Sequence, residues 1–319
     1  MPSRETFAYR RALKLRAQKA VDDSDAAIDS IFTRAQDDFL TFCTIMDKAP
    51  AHHMLEWHKH LITGVSNRYL LDIAGPNLDI LAPRGSAKST VLNMFTAWII
   101  GRHTSKGMPL QIIYCSYNIA TAIPKSRIIK QIIDSTSFKK IFPKVKLKSG
   151  MQSDIGWSID FDYAGIDRVG DEEFTLRAAG LRGSITSKRA HLVIVDDPIK
   201  SSADIKNPAV RDEMNNNWSS VIAPIVFEGG RSICLGTRFH PLDIHKTMFS
   251  PSKGWKQVSQ EALTYDADGD AISYWPEQWS VEYLQQQKEL DPVAFAFQYQ
   301  QQPVMTSDLV LSPDLIVKG

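Results

Sequence analysis

Cysteine is scarce in this chain, with three residues in 319, at positions 43, 115 and 234. Thiols so few and so scattered build neither a disulfide framework nor a zinc knuckle. Cys115 and Cys234 lie inside apolar, strand-like runs, as reduced core thiols of a cytosolic protein do. An excess of charge of either sign is missing too: 37 Lys and Arg stand against 36 Asp and Glu, a formal net charge of +1. Global attraction to nucleic acid or membrane is thereby excluded, and any nucleic-acid contact has to be local. No run approaches the ~18 uninterrupted apolar residues of a membrane span, and the first residues lack the apolar core of a secretory signal. What remains, 43% hydrophobic and 23% charged residues, is ordinary for a soluble globular chain of one large or two modest domains.

Against this plain background one stretch stands out. Leu78-Asp79-Ile80-Leu81 is an apolar strand, Ala82-Pro83-Arg84-Gly85-Ser86-Ala87 a short turn, and Lys88-Ser89-Thr90 opens a helix through Val91, Leu92, Met94 and Phe95. Strand, small-residue turn and helix in that order cradle phosphates, because the loop amides and the helix N-terminus face the anion. Pro83 to Thr90 are therefore the expected nucleotide-binding residues. Lys88 supplies a charge for the β and γ phosphates, and the Ser89 hydroxyl is a ligand for Mg²⁺. Alanine stands at 82 and 87 where glycine is usual. A methyl group is tolerable there if φ is negative, which is the expectation for both. An ordinary strand-to-helix turn with a surface lysine is the bland alternative.

Further along, Leu110 to Cys115 reads as a strand and Ile119 to Ile133 as a helix despite Pro124. This alternation argues for an α/β fold with a parallel sheet between helices. Trp157 to Phe161 and Phe174 to Ala179 are shorter strands, expected as a hairpin inserted on one edge. His191-Leu192-Val193-Ile194-Val195 is apolar enough to be a buried strand, and it runs into Asp196-Asp197-Pro198. Acids at the carboxyl end of a central strand sit where α/β sheets bind ligands. Asp196 is the candidate for Mg²⁺, directly or through water, and Asp197 for orienting or deprotonating the attacking water. A polar turn after a strand is the competing account, since Asp-Asp-Pro also favours turns.

A third strand, Ser232 to Leu235, ends in Gly236-Thr237-Arg238-Phe239-His240-Pro241, where a hydroxyl and a guanidinium could sense the γ-phosphate and relay its loss. Arg182, in the turn Gly180 to Ser184, is a candidate arginine finger toward a neighbouring subunit, and Arg84 its competitor in cis. His52, His53, His58 and His60 have no pair three or four apart, so no metal site is expected of them; His53 and His58 are candidates for a base contact. His240 and His245 also lack zinc spacing. Periodic apolar residues from Ile28 to Ile45 predict one amphipathic helix over 24–47, and a second is expected over 53–62. Before them lies a basic stretch with Arg4, Arg10, Arg11, Lys14, Arg16 and Lys19, either an arm for phosphate or an acidic partner, or a solvated helix.

The order of Ala82 to Thr90, Val193 to Pro198 and Gly236 to Pro241, closed by Trp275-Pro276-Glu277 and Phe297 to Pro303, resembles the large terminase subunit of tailed bacteriophages. The likeness spans 57–303. It implies a P-loop NTPase of the additional-strand (ASCE) class, with a mainly parallel central sheet flanked by helices. It implies a motor that hydrolyses ATP with Mg²⁺ and drives double-stranded DNA into the procapsid. Its implied partners are the portal protein, the small terminase subunit and further copies of itself in a ring, with no membrane, in the host cell cytoplasm. By resemblance Arg84, Lys88 and Ser89 belong to the phosphate loop, Asp196 to the magnesium site, Asp197 to the catalytic acid and Thr237 to coupling, with Arg238 beside it. Aspartate at 197 departs from the usual glutamate. Three segments are expected: a basic arm and packing helix over 1–50, the ATPase over 51–303 with a helical segment from about 276, and a linker over 304–319 toward a nuclease domain. No nuclease activity is expected of these residues. A helicase-like ATPase and a non-hydrolysing, nucleotide-dependent interaction module are the alternatives.

Overall fold

The apolar runs become neighbouring strands of one sheet. The computed structural model describes residues 25–47, 52–166, 174–183, 185 and 189–303, of which 25–28, 52 and 53 as backbone only. The basic arm, His52, His53 and the 304–319 linker thus lie outside the described residues or side chains. Strands β1 (Leu78–Leu81), β2 (Ile112–Ser116), β3 (Leu147–Gln152), β4 (Gly156–Ile159), β5 (Leu176–Gly180), β6 (Ala190–Asp196), β7 (Val226–Gly236) and β8 (Lys256–Ser259) form an eight-stranded sheet in the order β3-β4-β5-β2-β6-β7-β1-β8. From β5 to β8 every pairing is parallel, while β3 and β4 add antiparallel strands at one edge. The expected inserted hairpin is therefore part of the sheet, because β5 pairs with both β4 and β2. β7 lies between β1 and β6, the additional strand of the ASCE class.

Alternate residues of the central strands feed two cores. Leu78, Ile80, Ile112, Tyr114, Leu192, Ile194, Ile233 and Leu235 face one side, and Ile113, Cys115, Val193, Val195 and Cys234 the other. Because both faces are covered, the strands read as unbroken apolar runs in the sequence. The first core includes α4 (Lys88–Ser105), buried around most of its girth, with Phe95, Trp98 and Ile99 among its residues. The second includes Met214, Trp218, Phe249 and Trp255.

Residues 24–47, expected as one helix, form two: α1 (Asp25–Asp37) and α2 (Phe39–Ile45). Asp38 makes the break; its φ is −117° and its carboxylate accepts from Leu40 N at 3.0 Å and Thr41 Oγ1 at 2.7 Å, capping a new start. Both helices belong to the first core through Ala35, Phe39 and Phe42. Trp98 Nε1 donates to Ala35 O at 3.0 Å, and Arg102 pairs with Asp37 and Asp72. Helix α3 (His52–Leu61) follows, and α5 (Ile119–Asp134) runs through Pro124.

The middle of the chain also carries the short helices α6 (Thr136–Ile141), α7 (Ser202–Lys206), α8 (Pro208–Asn217), continued by a π-helical turn over Trp218–Ile222, and α9 (Ile244–Thr247). The hairpin β9 (Leu263–Tyr265) and β10 (Ala271–Ser273) then packs with α10 (Val281–Leu290) and α11 (Pro292–Gln298) around Leu263, Tyr274, Leu284 and Phe295. Among the described residues, no helix is long and apolar enough to cross a membrane.

Candidate active site

Register explains why distant segments meet. Leu81 pairs with Gly236 across β1 and β7, and Asp196 with Leu235 across β6 and β7, so three parallel strands end at one rim. Ala82–Ala87, Asp197 and Thr237 follow directly from those ends. Between them opens a cleft of about 300 Å³ lined by Arg84, Lys88, Lys125, Asp196, Asp197 and Thr237, among others.

The loop from β1 to α4 is held at both flanks: Ala82 N donates to Gly236 O, and Arg84 N to Gln298 O, each at 2.9 Å. Gly85 has φ +76°, and a Cβ there would lie 2.7 Å from Trp279 Cζ2, so glycine is demanded by backbone and neighbour alike. Ala87 overturns the expectation of negative φ. Its φ of 61° and ψ of 26° are left-handed, at a cost of about 1–2 kcal/mol, while Ala82 meets the expectation. The left-handed turn lets α4 begin at Lys88 without a side-chain cap, leaving its first amides to face the cleft. Thr90 is exposed on that first turn, whereas Pro83 and Ser86 are buried.

Lys88 is 6% exposed, and its Nζ donates to Ala82 O at 3.3 Å, Pro83 O at 3.0 Å and Thr237 Oγ1 at 2.9 Å. Asp197 Oδ1 lies 3.7 Å from the same ammonium. Thr237 Oγ1 in turn donates to Ala82 O at 2.9 Å. Asp197 is also left-handed, with φ 47°, a region that aspartate tolerates better than most residues, and its side chain is 48% exposed in the cleft.

Asp196 is 1% exposed and fully engaged. Its Oδ1 accepts from Ser89 Oγ at 3.0 Å and its Oδ2 from Tyr114 OH at 3.0 Å, while Lys125 Nζ stands 3.3 Å from Oδ2. Ser116 Oγ donates to its backbone carbonyl at 2.7 Å. Burial, and after it the neighbouring Asp197 charge, raises the Asp196 pKa; Lys125, Ser89 and Tyr114 oppose the rise. The donor set fits Mg²⁺. Both atoms are hard oxygens, and two adjacent ligands of an octahedron at about 2.1 Å lie about 3 Å apart, the Ser89–Asp196 separation.

Arg238, Arg182 and His58 are not brought into this cluster. Arg238 turns away from the cleft, its Nε bonded to both oxygens of buried Asp243 at 2.9 and 3.0 Å and its NH2 to the carbonyls of His240 and Pro241. The charge that was expected to sense phosphate instead anchors the turn into α9. Arg182 lies one residue away, donating from NH1 to Tyr117 OH at 2.9 Å and from Nε and NH2 to Glu213 Oε2 at 3.0 and 2.7 Å. Tyr117 itself lines the cleft, and Arg84 is exposed at it. His58 stacks on Phe39, with centroids 6.1 Å apart, in the first core.

Sequence reasoning missed Tyr114, Ser116 and Lys125. The first two carry a signal: polar residues near the carboxyl end of an otherwise apolar strand. Lys125 carries none, since a lysine in an amphipathic helix is ordinarily a solvated one.

Beneath the loop, Asp79, Cys234 and Gln257 are register neighbours on β1, β7 and β8. The Asp79 carboxylate accepts from Gln257 Nε2 at 2.9 Å and pairs with His245 Nδ1 at 3.0 Å, tying α9 to β1. A Cβ on Gly236 would sit 2.5 Å from His245 Cε1, so only glycine lets this ring pass under the strand that leads to Thr237. Potential ligand atoms of Asp79, Cys234 and His245 lie within 4.8 Å of one another, but hydrogen bonding to the carboxylate accounts for the cluster.

Strand order, phosphate-type loop and paired acids together define the P-loop NTPase fold of the additional-strand class. The ATPase domain of the Thermus phage P74-26 large terminase, solved as a point mutant, has this fold: it aligns with a TM-score of 0.50 at 12% identity, over 82% of this chain and 98% of that one. The bacteriophage HK97 large terminase aligns at 0.36 and 15% identity, over 61% of this chain and 37% of that one. A large terminase from a thermophilic bacteriophage, in complex with ADP, aligns at 0.40 and 9% identity, over 70% and 47%. The chain thus spans nearly the whole of the isolated domain but less than half of the two longer chains. No family model matches the sequence, and no curated protein matches it either.

Proposed function

We propose that this chain is the ATP-hydrolysing motor domain of a phage large terminase, driving double-stranded DNA into a procapsid. One observation carries the reading: Lys88, Asp196 and Asp197 line one cleft at the rim of the sheet, with Ser89 bonded to Asp196. The terminase resemblance read in the sequence gives the direction of the work.

In this reading the triphosphate lies on the loop amides and the first turn of α4. Lys88 exchanges its bonds to the Ala82 and Pro83 carbonyls for the β and γ phosphates. Ser89 and Asp196 would hold Mg²⁺, which would supply positive charge against the phosphates. Asp197, exposed and close to Lys88, orients the attacking water and accepts its proton. It is one methylene shorter than glutamate and stands on a left-handed backbone. Arg84 is the guanidinium available in cis. Arg182 reaches a neighbour's nucleotide only by giving up Glu213. Lys88 relinquishes Thr237 as it engages phosphate, and the freed Thr237 segment, anchored through Arg238–Asp243 to α9, passes the change onward.

The same reading makes the assembled form a ring of copies on the portal protein, served by a small terminase subunit in the host cell cytoplasm, with no nuclease activity in these residues. Its test is Asp197→Asn, which retains the left-handed backbone and removes the base. ADP and ATP are expected to bind as to the wild type while turnover falls ~10²–10⁴-fold. Unchanged turnover would sink the assignment.

A further inference from the structure

Lys125 is absorbed by none of the roles above, yet its ammonium stands 3.3 Å from the carboxylate proposed to hold Mg²⁺. It projects from the second turn of α5, whose start is fixed by a reciprocal cap between Asn118 and Thr121. The cap sets where the helix begins, and the four-carbon side chain gives the ammonium its reach. That side chain is 27% exposed, against 1% for its partner Asp196, so one end of the pair reaches solvent and the other is enclosed. The cleft it lines also holds Arg84 and Lys88.

Asp196 does not depend on Lys125 to satisfy its oxygens. Oδ1 keeps Ser89 and Oδ2 keeps Tyr114 when the lysine departs. What the lysine supplies is charge, beside a buried carboxylate that has a second carboxylate, Asp197, as its chain neighbour. A divalent cation on Asp196 supplies the same charge twice over and repels an ammonium a few ångströms away. The two cations therefore compete for one carboxylate, and a displaced lysine in this cleft is left with Asp197 and the terminal phosphate of a bound triphosphate as its anions.

We infer that Lys125 is an exchangeable counter-ion: it neutralises Asp196 until Mg²⁺ arrives with nucleotide, then carries its charge to the γ-phosphate. The inference rests on the nucleotide reading of the cleft. It makes Lys125 a determinant of triphosphate-over-diphosphate preference, since only the triphosphate offers the second partner.

The test is calorimetric binding of ADP and of a non-hydrolysable ATP analogue to the full chain at stepped Mg²⁺ concentrations. Lys125→Met, which keeps the stem and deletes the charge, is compared with Lys125→Arg, which keeps the charge. The Met variant is expected to need ~10-fold less Mg²⁺ for half-maximal ADP binding, the scale of one charge-assisted contact. Its preference for the triphosphate analogue should shrink by a similar factor, while the Arg variant stays close to wild type. The inference is overturned if Lys125→Met needs more Mg²⁺, if neither quantity moves, or if Lys125→Arg shifts as far as Met does. Wild-type protein that binds neither nucleotide would instead remove the reading of the cleft, and this inference with it. Thermal melts of both variants, matching wild type, exclude misfolding as the source of any shift.

Discussion

Lys88 Nζ donates to Thr237 Oγ1 across 2.9 Å, joining the head of α4 to the end of β7 over 149 positions of sequence. The same hydroxyl donates to Ala82 O, so one threonine spans the β1–α4 loop and Lys88. Thr237→Val keeps the shape and removes both bonds in a residue that is 4% exposed. The expected loss of stability is about 1–3 kcal/mol, from the missing bonds and the Ala82 carbonyl left to Lys88 alone. Thr237→Ser should recover most of it. If Thr237 relays the state of the nucleotide, Val should also lower turnover more than it lowers nucleotide affinity. Urea unfolding together with steady-state ATPase and ADP titration separates the two effects.

Ala87 at φ 61° predicts a stabilising substitution. Ala87→Gly relieves about 1–2 kcal/mol of left-handed strain and costs about 0.4–1 kcal/mol through the freer unfolded chain. The net expectation is a gain of about 0.5–1 kcal/mol, visible as a higher urea midpoint at unchanged slope. A midpoint that falls would mean that the alanine methyl makes packing contacts worth more than the strain.

That alanine also marks where sequence reasoning stopped. The strand pattern located β1, β2, β6 and the inner part of β7, because both faces of a central parallel strand are buried and its residues are apolar throughout. The same rule hid β8: Lys256–Ser259 is an edge strand with partly exposed residues and no apolar run. That Asp196 and Lys88 meet at one rim was legible because an unpaired charge is costly to bury, so one set against a buried run calls for a partner. The destinations of Arg238 and Arg182 were not, since a guanidinium's partner is settled by folding: Asp243 stands five residues from one and Glu213 thirty-one from the other. The break at Asp38 was hidden because the apolar period continues through it, although an aspartate able to cap was the available sign.

Two buried histidines set opposite pH limits. His103 Nε2 accepts from Leu71 N at 2.8 Å while Nδ1 faces Ile99 O at 2.8 Å, so the ring is held neutral, and desolvation pulls its pKa to about 4. The unfolded chain takes up that proton near pH 6.5, so the stabilisation is whole above that pH and disappears as pH falls toward about 4. The linked loss is about 3 kcal/mol. His245 runs the other way: burial pulls its pKa down, but Asp79, by charge and hydrogen bond, and then Asp243 together raise it above the ordinary value. Its contribution is full below about pH 6.5 and fades as pH climbs through the raised value. Unfolding free energies between pH 4 and 9 should therefore fall at both ends. Asp79→Asn should flatten the alkaline limb without touching the acid one.

Arg84 and Arg182 can be told apart by whether their action crosses a subunit boundary. Arg84 is exposed at the cleft of its own chain, so Arg84→Ala should slow turnover at every protein concentration. Arg182 is bound to Glu213 and Tyr117, so Arg182→Ala should leave the basal rate of dilute protein unchanged. In an assembled ring a finger in trans is worth ~10³–10⁵ in rate, and the variant should then poison wild-type neighbours. Mixing Arg182→Ala with Asp197→Asn should restore part of the activity, because the first supplies an intact catalytic acid and the second an intact finger. If the mixture stays as inactive as either variant alone, while assembly is verified by light scattering, Arg182 has no role in trans. Its bond to Glu213 would then be its whole contribution, a partly exposed pair worth at most about 1 kcal/mol to the fold.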